Sequence, residues 1–350
     1  MKKVIKQSVG IDVAQKELVV CIGRLYDDLS TELYAHKNFV NTAKGFISLV
    51  QWVLKLTEST VNIRYVMEAT GVYHELLACY LADQGYSLSI ILPNKISNYF
   101  RTLSVKTVTD KTASEAITLF GLERKLGDWK RPKPVFKYLR QLTRERNQLV
   151  QERTMIKNQL HAEKTESDPN SSTLKRMKQR IELLNKQEKV IKEEIVMLAK
   201  KEKELKQELT LLCTIPGIGS LTAATILAET NGFELVRNKR QLASYAGFDV
   251  QEKQSGTSVK GKTRISKKGN KNLRQAMHLP ALTAIKHDER FKSIFIRLVS
   301  KHGIKMKAVV AVQRKLLEMC YTIFNTQTGY NKNYLQKTQV ARQGHEMQMA

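Results

Sequence analysis

Two carboxylates in this chain sit where a folding polypeptide needs a reason to keep them. Asp12 lies inside the apolar run "SVGIDVA", and Glu68 closes "YVME" just before the tight exit Ala-Thr-Gly. A carboxylate buried in a strand costs desolvation free energy unless a cation or hydrogen bonds compensate it. One such aspartate alone would be a structural cap. Two acids ending neighbouring strands of one sheet meet the needs of Mg²⁺ or, in its place, Mn²⁺, which takes a few carboxylates together with water and a substrate phosphate. A third acid has to come from a later helix. The stretch "TVTDKTASEAITLFGLERKL" supplies Asp110 in the first turn of one, with Glu115 five residues on. The chemistry implied is metal-dependent attack on a phosphodiester.

A second constellation lies far along the chain. Ser255 stands in "QSGTSVKGK", a stretch without the hydrophobic periodicity of a strand or helix. Lys260, Lys262, Arg264, Lys267, Lys268, Lys271 and Arg274 follow it, and Gly256, Gly261 and Gly269 allow close backbone approach. Such a set would clamp a nucleic-acid backbone. Serine is a weak nucleophile that needs a base or a metal to activate it, and no histidine is near in sequence. If Ser255 attacks phosphorus, the acid cluster must serve it from about 145 residues upstream. The active site would then be composite, within one chain or between subunits. Ser258 lacks the following glycine. His278 and His287 suit ordinary surface or core roles, and Tyr245 suits core packing.

The elements that must position these groups fall into four regions: 1–130, 131–210, 211–330 and a polar tail at 331–350. In the first, "QSVGIDVA", "ELVVCIGRL" and "ELYAHKNFV" read as strands and "TAKGFISLVQWVLKLT" as a helix capped by Asn41 or Thr42. "NIRYVMEAT", "YHELLACYLADQ" and "SLSIILPN" continue as strand, helix and strand, and the Asp110 stretch adds a helix. The order β, β, β, α, β, α, β, α gives a mixed sheet flanked by helices, with ligands at the strand ends. The order strand Asp, strand Glu, helix acid resembles that of the ribonuclease-H-like nucleases, the RuvC junction resolvases among them.

In the second region Leu174, Met177, Ile181, Leu184, Ile191, Ile195, Leu198, Leu205 and Leu209 follow a three-four alternation interrupted by Glu188 and Glu202. That spacing is a coiled-coil seam, and "ESDPNSS" at 166–172 breaks it from an earlier arm, so that a helical hairpin results. The third region is mainly helical. It begins at "TIPGIGSLTAATILAE", where Gly217 and Gly219 make a turn between two helices, a helix-hairpin-helix pattern that aims backbone N–H groups at a phosphate. The fold class is therefore α/β followed by α.

Composition narrows the partners. The 350 residues carry 59 Lys and Arg against 33 Asp and Glu, a net charge of +26, with 42% apolar residues. The chain is long enough for two cored domains, and its charge favours a polyanion, because each neutralised phosphate releases counterions. The four cysteines lie far apart without metal-ligand spacing, as in a reducing compartment. No signal peptide or membrane span is readable, so the expectation is a cytoplasmic protein.

Together "VGIDVAQKELVV", "MEATGVYHELLACYL", "TDKTASEAITLFGLERK", "TIPGIGSLTAATILAE", "QLASYAGFDVQEKQSGTSVKG", "ISKKGNKNLRQAMHLPALTA" and "KAVVAVQRKLLEMCY" resemble the transposases of the insertion-sequence 110 family, from about residue 8 to 325. The resemblance implies a RuvC-like domain with four acids, a coiled-coil insertion and a C-terminal domain with a catalytic serine. It also implies double-stranded donor and target DNA, a structured guide or bridge RNA that pairs with both, and a homo-oligomer, dimer or tetramer. Asp12, Glu68 and Asp110 match three of the acids, and Ser255 matches the serine. The usual pattern places the fourth acid three residues after the third, where this chain has Ala113. Ser114, Glu115 or water could take its place; Glu115 lies about 140° around the helix from Asp110. Two other readings remain: a water-using RuvC-like nuclease or junction resolvase, and a non-catalytic architectural protein.

Overall fold

The computed structural model describes residues 2–69, 71–103, 105, 107–252, 254–255, 259–261 and 263–332, with 254, 255, 259 and 260 described by their backbone. The polar tail expected from 331 falls almost wholly outside them, as do Gly256, Ser258 and Lys262. Contacts divide the chain into residues 1–131 and 132–350. No helix among the described residues is long and apolar enough to cross a membrane.

The first unit runs β1 (Val4–Val13), β2 (Glu17–Tyr26), β3 (Thr31–Val40), α1 (Ala43–Leu56), β4 (Ile63–Glu68), α2 (Glu75–Asp83), β5 (Ser87–Ile91), α3 (Pro93–Phe100) and α4 (Asp110–Glu123). The mixed sheet read from the sequence is present, in the order β3-β2-β1-β4-β5. β1, β2 and β3 are antiparallel neighbours, while β1 runs parallel to β4 and β4 to β5. Helix α3 is an addition. Its stretch "PNKISNYF" buries only Ile96 and Tyr99, too few apolar positions to announce a helix.

Successive strand residues face opposite sides of a sheet, and β1 shows what each side is for. Val9 and Ile11 point into the large core with Phe46, Leu49, Tyr65, Met67 and Leu77. Thr42 starts α1 over that core by accepting the Gly45 amide. Ser8 and Gly10 face the other way, beneath α4. A Cβ on Gly10 would lie 2.3 Å from Thr118 Oγ1 and 2.5 Å from Ser114 O, and one on Gly121 would lie 2.2 Å from Ser8 Oγ. Helix and strand thus meet at van der Waals limits. Val66 on β4 joins Ile117 of α4 on this side, in a smaller core with Ile91 and Ile96.

The second unit opens with two long helices, α5 (Pro134–Thr165) and α6 (Ser171–Lys201), packed as a hairpin. Asn170 caps α6 by accepting from Thr173 N at 3.1 Å. Leu184, Ile191 and Ile195 of the expected seam are buried, as is Ile156 of α5. Glu188 does not interrupt that packing. Its side chain is 6% exposed and accepts from Arg146 Nε at 3.0 Å and Lys192 Nζ at 2.8 Å, with Arg153 as a third partner. Burial alone would push its carboxyl up, but these hydrogen bonds hold it at about 2. A buried acid matched to two arginines on the facing helix fixes the register of the pair.

The helix then breaks at Glu202 into α7 (Lys203–Cys213), followed by α8 (Ser220–Thr230), α9 (Lys239–Tyr245), β6 (Val250–Gln251), β7 (Gln254–Ser255), β8 (Val259–Lys260), β9 (Arg264–Ile265), α10 (Lys271–Ala276), α11 (His278–His287), α12 (Glu289–His302) and α13 (Lys305–Thr326). The unit is mainly helical around one core that includes Leu212, Ile226, Leu227, Phe248, Leu316 and Cys320. The stretch around Ser255, which lacks periodicity, nonetheless pairs its backbone: β6 with β9, and β7 with β8, where Gln254 opposes Lys260 and Ser255 opposes Val259. Backbone pairing in so short a ribbon asks nothing of side-chain alternation, which is why the sequence does not announce it.

Candidate active site and nucleic-acid surface

β1 and β4 are in register up to the pair Ile11 and Met67, so Asp12 and Glu68 come next, side by side at the C-terminal ends of two parallel strands. Both have the parity of Gly10 and Val66, which places them on the face that α4 covers. Helix α4 crosses that face antiparallel to β1. Gly121 lies at Ser8, and Ser114 and Thr118 lie at Gly10. A helix turn of about 5.4 Å advances little less than two strand residues. One more turn brings Asp110, the first residue of α4, to Asp12.

The helix start is held in place. Thr109 and Thr112 form a reciprocal cap, Thr112 N donating to Thr109 Oγ1 at 3.2 Å and Thr109 N to Thr112 Oγ1 at 2.8 Å. Asn41 braces the loops that leave the two strands, its Nδ2 donating to Ala14 O at 2.9 Å and to Tyr73 O at 3.1 Å. Electrostatics report the convergence. Burial pushes the Asp12 carboxyl up and Asp110 pushes it further, against a lowering hydrogen bond from the Val13 amide. Burial and then Asp12 do the same to Glu68. Among the described residues none of the three acids makes an ion pair with a side-chain cation. Three hard oxygen donors with no side-chain counter-charge among the described residues fit a divalent cation in charge and chemistry. They do not form a closed cage, since among the described residues no three His, Cys, Asp or Glu side chains are grouped tightly enough to hold an ion.

The two candidates for a fourth donor are engaged elsewhere. Ser114 is fully buried and its hydroxyl donates to Lys111 O at 2.7 Å. Glu115 turns toward β3, where its Oε1 lies 3.0 Å from His36 Nε2. Neither contributes to the shifts of Asp12 or Glu68.

In the second unit the cations differ in their freedom. Arg264, Lys267, Lys268 and Lys271 are exposed. Arg274 instead donates from Nη1 to Ala246 O at 2.8 Å, a tie within the fold. Lys267 has φ of 54°, a left-handed backbone uncommon for lysine, and its amide donates to Gly247 O at 3.1 Å. Gly217, with φ of 86°, packs so closely on Pro280 O that a Cβ would lie 2.3 Å away, whereas Gly219, at the start of α8, faces open space. His278 is occupied by Gln313 and His287 is exposed.

The sequence reading passed over the residue that organises this region. Glu229, in the last turn of α8, is 1% exposed and takes two hydrogen bonds from Arg144, Nε to Oε1 at 2.7 Å and Nη2 to Oε2 at 2.8 Å. Asn270 Nδ2 donates to it at 2.7 Å and Asn272 Nδ2 at 3.1 Å. Tyr245 Oη donates to its backbone carbonyl at 2.8 Å. One carboxylate thereby joins α5, α8, α9 and the end of the lysine-rich segment where α10 begins. Its only sequence signal was an acid within "AATILAET", a run otherwise suited to burial.

Residues 9–163 match a family model described as Transposase, of the DEDD type of IS110, and residues 209–295 match one described as Transposase IS116/IS110/IS902 family. The two take in well over half of the chain, and both name the same family. The chain belongs to the IS110 family of transposases. Along nearly its whole length this transposase is similar to the pilin gene-inverting proteins of Moraxella lacunata and Moraxella bovis. The first is 28% identical over 338 residues, 93% of this chain and 98% of that protein, and the second 27% identical over the same length. It is also 28% identical over 120 residues to an uncharacterized 43.6 kDa protein of insertion element IS110 from Streptomyces coelicolor, over 34% of this chain and 29% of that protein. Among solved structures, a RuvC from T. thermophilus in complex with a Holliday junction substrate matches 32% of the transposase and 90% of that chain, at 9% identity and a TM-score of 0.25.

Proposed function

We propose that this transposase cuts and transfers DNA strands between a donor and a target through a RuvC-like acid cluster and a serine nucleophile, under the guidance of a structured RNA. The observation that carries the reading is the meeting of Asp12, Glu68 and Asp110 at one end of the sheet, where burial and mutual repulsion raise two of the three carboxyls. Asp12, Glu68 and Asp110 would hold a divalent cation, Mg²⁺ or Mn²⁺. When bound, the ion would offset charge on the reacting phosphate and make a hydroxyl easier to deprotonate.

Ser255 then attacks phosphorus. A bond forms between its oxygen and phosphorus, a phosphorus–oxygen bond of the DNA strand breaks, and the freed DNA oxygen takes up a proton. Attack on that linkage by a hydroxyl of another strand reverses the step and joins the new strand, leaving the number of phosphodiester bonds unchanged. Arg264, Lys267, Lys268 and Lys271, exposed on the same unit, bind the strand's phosphates, with Lys260, Lys262, Gly256, Gly217 and Gly219 as further backbone contacts. Guidance by RNA is supported by family resemblance and by the charge of +26. Assembly into a dimer or tetramer is supported by α6, where Leu183, Val190 and Met197, seven residues apart, are 55%, 51% and 60% exposed.

The test is strand cleavage of labelled donor and target DNA by purified protein, its RNA and Mg²⁺. The reading expects cleavage that stops with chelation and in the Asp12→Asn and Glu68→Gln variants. Cleavage that persists in both variants would remove the acid cluster from the reaction.

A further inference from the structure

A groove of about 520 Å³ opens between the β6/β9 ribbon and helices α12 and α13. Its walls are Phe248, Ile265, Leu298 and Val310, and its mouth carries Val250, Ile304 and Met306, which are 56%, 48% and 58% exposed. Around this apolar surface stand Arg264, Lys267 and Lys307, together with Arg314, which is paired to Glu318 Oε1 at 2.9 Å, and no carboxylate is among the lining residues that are described. Lys267 reaches its place through the left-handed backbone noted above. Such a conformation persists where the surroundings impose it, often at ligand sites. Nothing in the acid cluster of the first unit calls for this groove.

The combination selects its occupant. A duplex backbone alone would satisfy the cations and leave the apolar mouth in water. A second copy of this chain, at a charge of +26, would be repelled by the rim. An unpaired nucleotide carries an apolar ring face on the same unit as a phosphate, which suits a positively charged groove with an apolar lining. The volume lies in the range of sites that enclose a small molecule, enough for a base with its sugar. Thr263 and His302 are the polar side chains of the lining besides its lysines and arginines, and the choice of DNA over RNA follows from the reading of the chain as an enzyme acting on DNA.

We infer that this groove binds bases of unpaired DNA, holding a strand opened during recombination. The inference rests on the reading of the chain as an enzyme acting on DNA. It expects little preference among bases, because most of the lining is apolar side chain that any base can contact.

The test uses the full chain and a fluorescent oligodeoxythymidylate in an anisotropy titration. Met306→Glu places a negative charge at an exposed position of the mouth, and Leu282→Glu makes the same charge change at an exposed position of α11 outside the groove. Met306→Glu should weaken oligonucleotide binding about tenfold and Leu282→Glu by less than about twofold, with duplex affinity unchanged in both. Photocrosslinking of 5-bromodeoxyuridine should map to the segment from Ile304 to Arg314. Equal losses in the two variants, no loss in Met306→Glu, or a crosslink elsewhere would overturn the groove. An oligouridylate bound as tightly, with the same loss in Met306→Glu, would overturn the assignment to DNA. A wild-type chain that binds oligonucleotide this way and cleaves nothing would contradict the proposed function while leaving the groove in place.

Discussion

Gly10 and Thr118 are joined across the strand and helix that carry the acids: the Gly10 amide donates to Thr118 Oγ1 at 3.1 Å. A Cβ on Gly10 would come within 2.4 Å of the Thr118 amide as well as 2.3 Å of its hydroxyl. This contact sets how closely α4 lies on β1, and so how closely Asp110 lies to Asp12.

Gly10→Ala should therefore displace α4. Overpacking a close-packed contact costs typically 1–3 kcal/mol, and about 3 kcal/mol is expected here because backbone atoms oppose the new methyl. Urea denaturation measures it. The double variant with Thr118→Ala should not recover stability, since Ser114 O and the Thr118 amide stay in place. Recovery would mean that the hydroxyl alone sets the distance.

The acid cluster should be a source of instability without its cation. Burial and neighbouring acids raise Asp12 and Glu68, so each binds its proton more tightly folded than unfolded. Their contribution to stability is present at low pH and is lost as pH rises through the folded values. At neutral pH without divalent ion, Asp12→Asn should raise Tm by roughly 4 °C, the shift expected for about 1 kcal/mol in a unit of 131 residues. Mg²⁺ or Mn²⁺ should raise Tm in the wild type and far less in the variant. Equal shifts would place the ion elsewhere.

Glu229 should show the opposite sign. Burial alone would raise its carboxyl, but Arg144, Asn270 and Asn272 carry it below the ordinary 4.5. The stability it contributes is present above that value and is lost as pH falls through the lower folded value. Arg144→Ala strands a buried charge and should cost about 2–4 kcal/mol, the lower side for a buried pair because Arg144 is itself 48% exposed. Chemical denaturation of Arg144→Ala and Glu229→Gln at pH 7 and pH 4 checks both size and sign. Glu229→Gln should flatten the acid limb of the stability curve.

Glu188 offers a check on the helical hairpin. Arg153→Ala and Arg146→Ala together should destabilise the second unit more than Glu188→Leu does. Removing both arginines leaves the buried carboxylate with Lys192 of its own helix and no cation from the facing one, whereas the leucine replaces it with an apolar group that the seam can pack. Thermal melts of the variants give the comparison, and a Glu188→Leu protein less stable than the double arginine variant would contradict it.

The sequence disclosed what depends on local pattern. Asp12 stood out because its carboxylate interrupts an apolar strand, Glu68 because it closes one before a tight exit, and Asp110 because it falls in the first turn of the helix that follows. What it withheld depends on contacts distant in the chain. Glu188 reads as a fault in a heptad until Arg146 and Arg153 arrive from the facing helix. Glu229 reads as one more helix acid until Asn270 and Asn272 fold back onto it. Gly10 did carry a signal, since a glycine inside a strand marks close approach by another element, but the partner at Thr118 lies 108 residues away.

The central claim is that a serine joins the DNA while the acids serve the same reaction. Denaturing gels of labelled DNA incubated with protein, RNA and Mg²⁺ test it, comparing wild type with Ser255→Ala and Asp12→Asn. The account predicts a protease-sensitive adduct of protein and DNA that is present in wild type and absent from both variants. Cleavage that survives Ser255→Ala, stops in Asp12→Asn and leaves no adduct would contradict it, and would make the enzyme a nuclease that uses water.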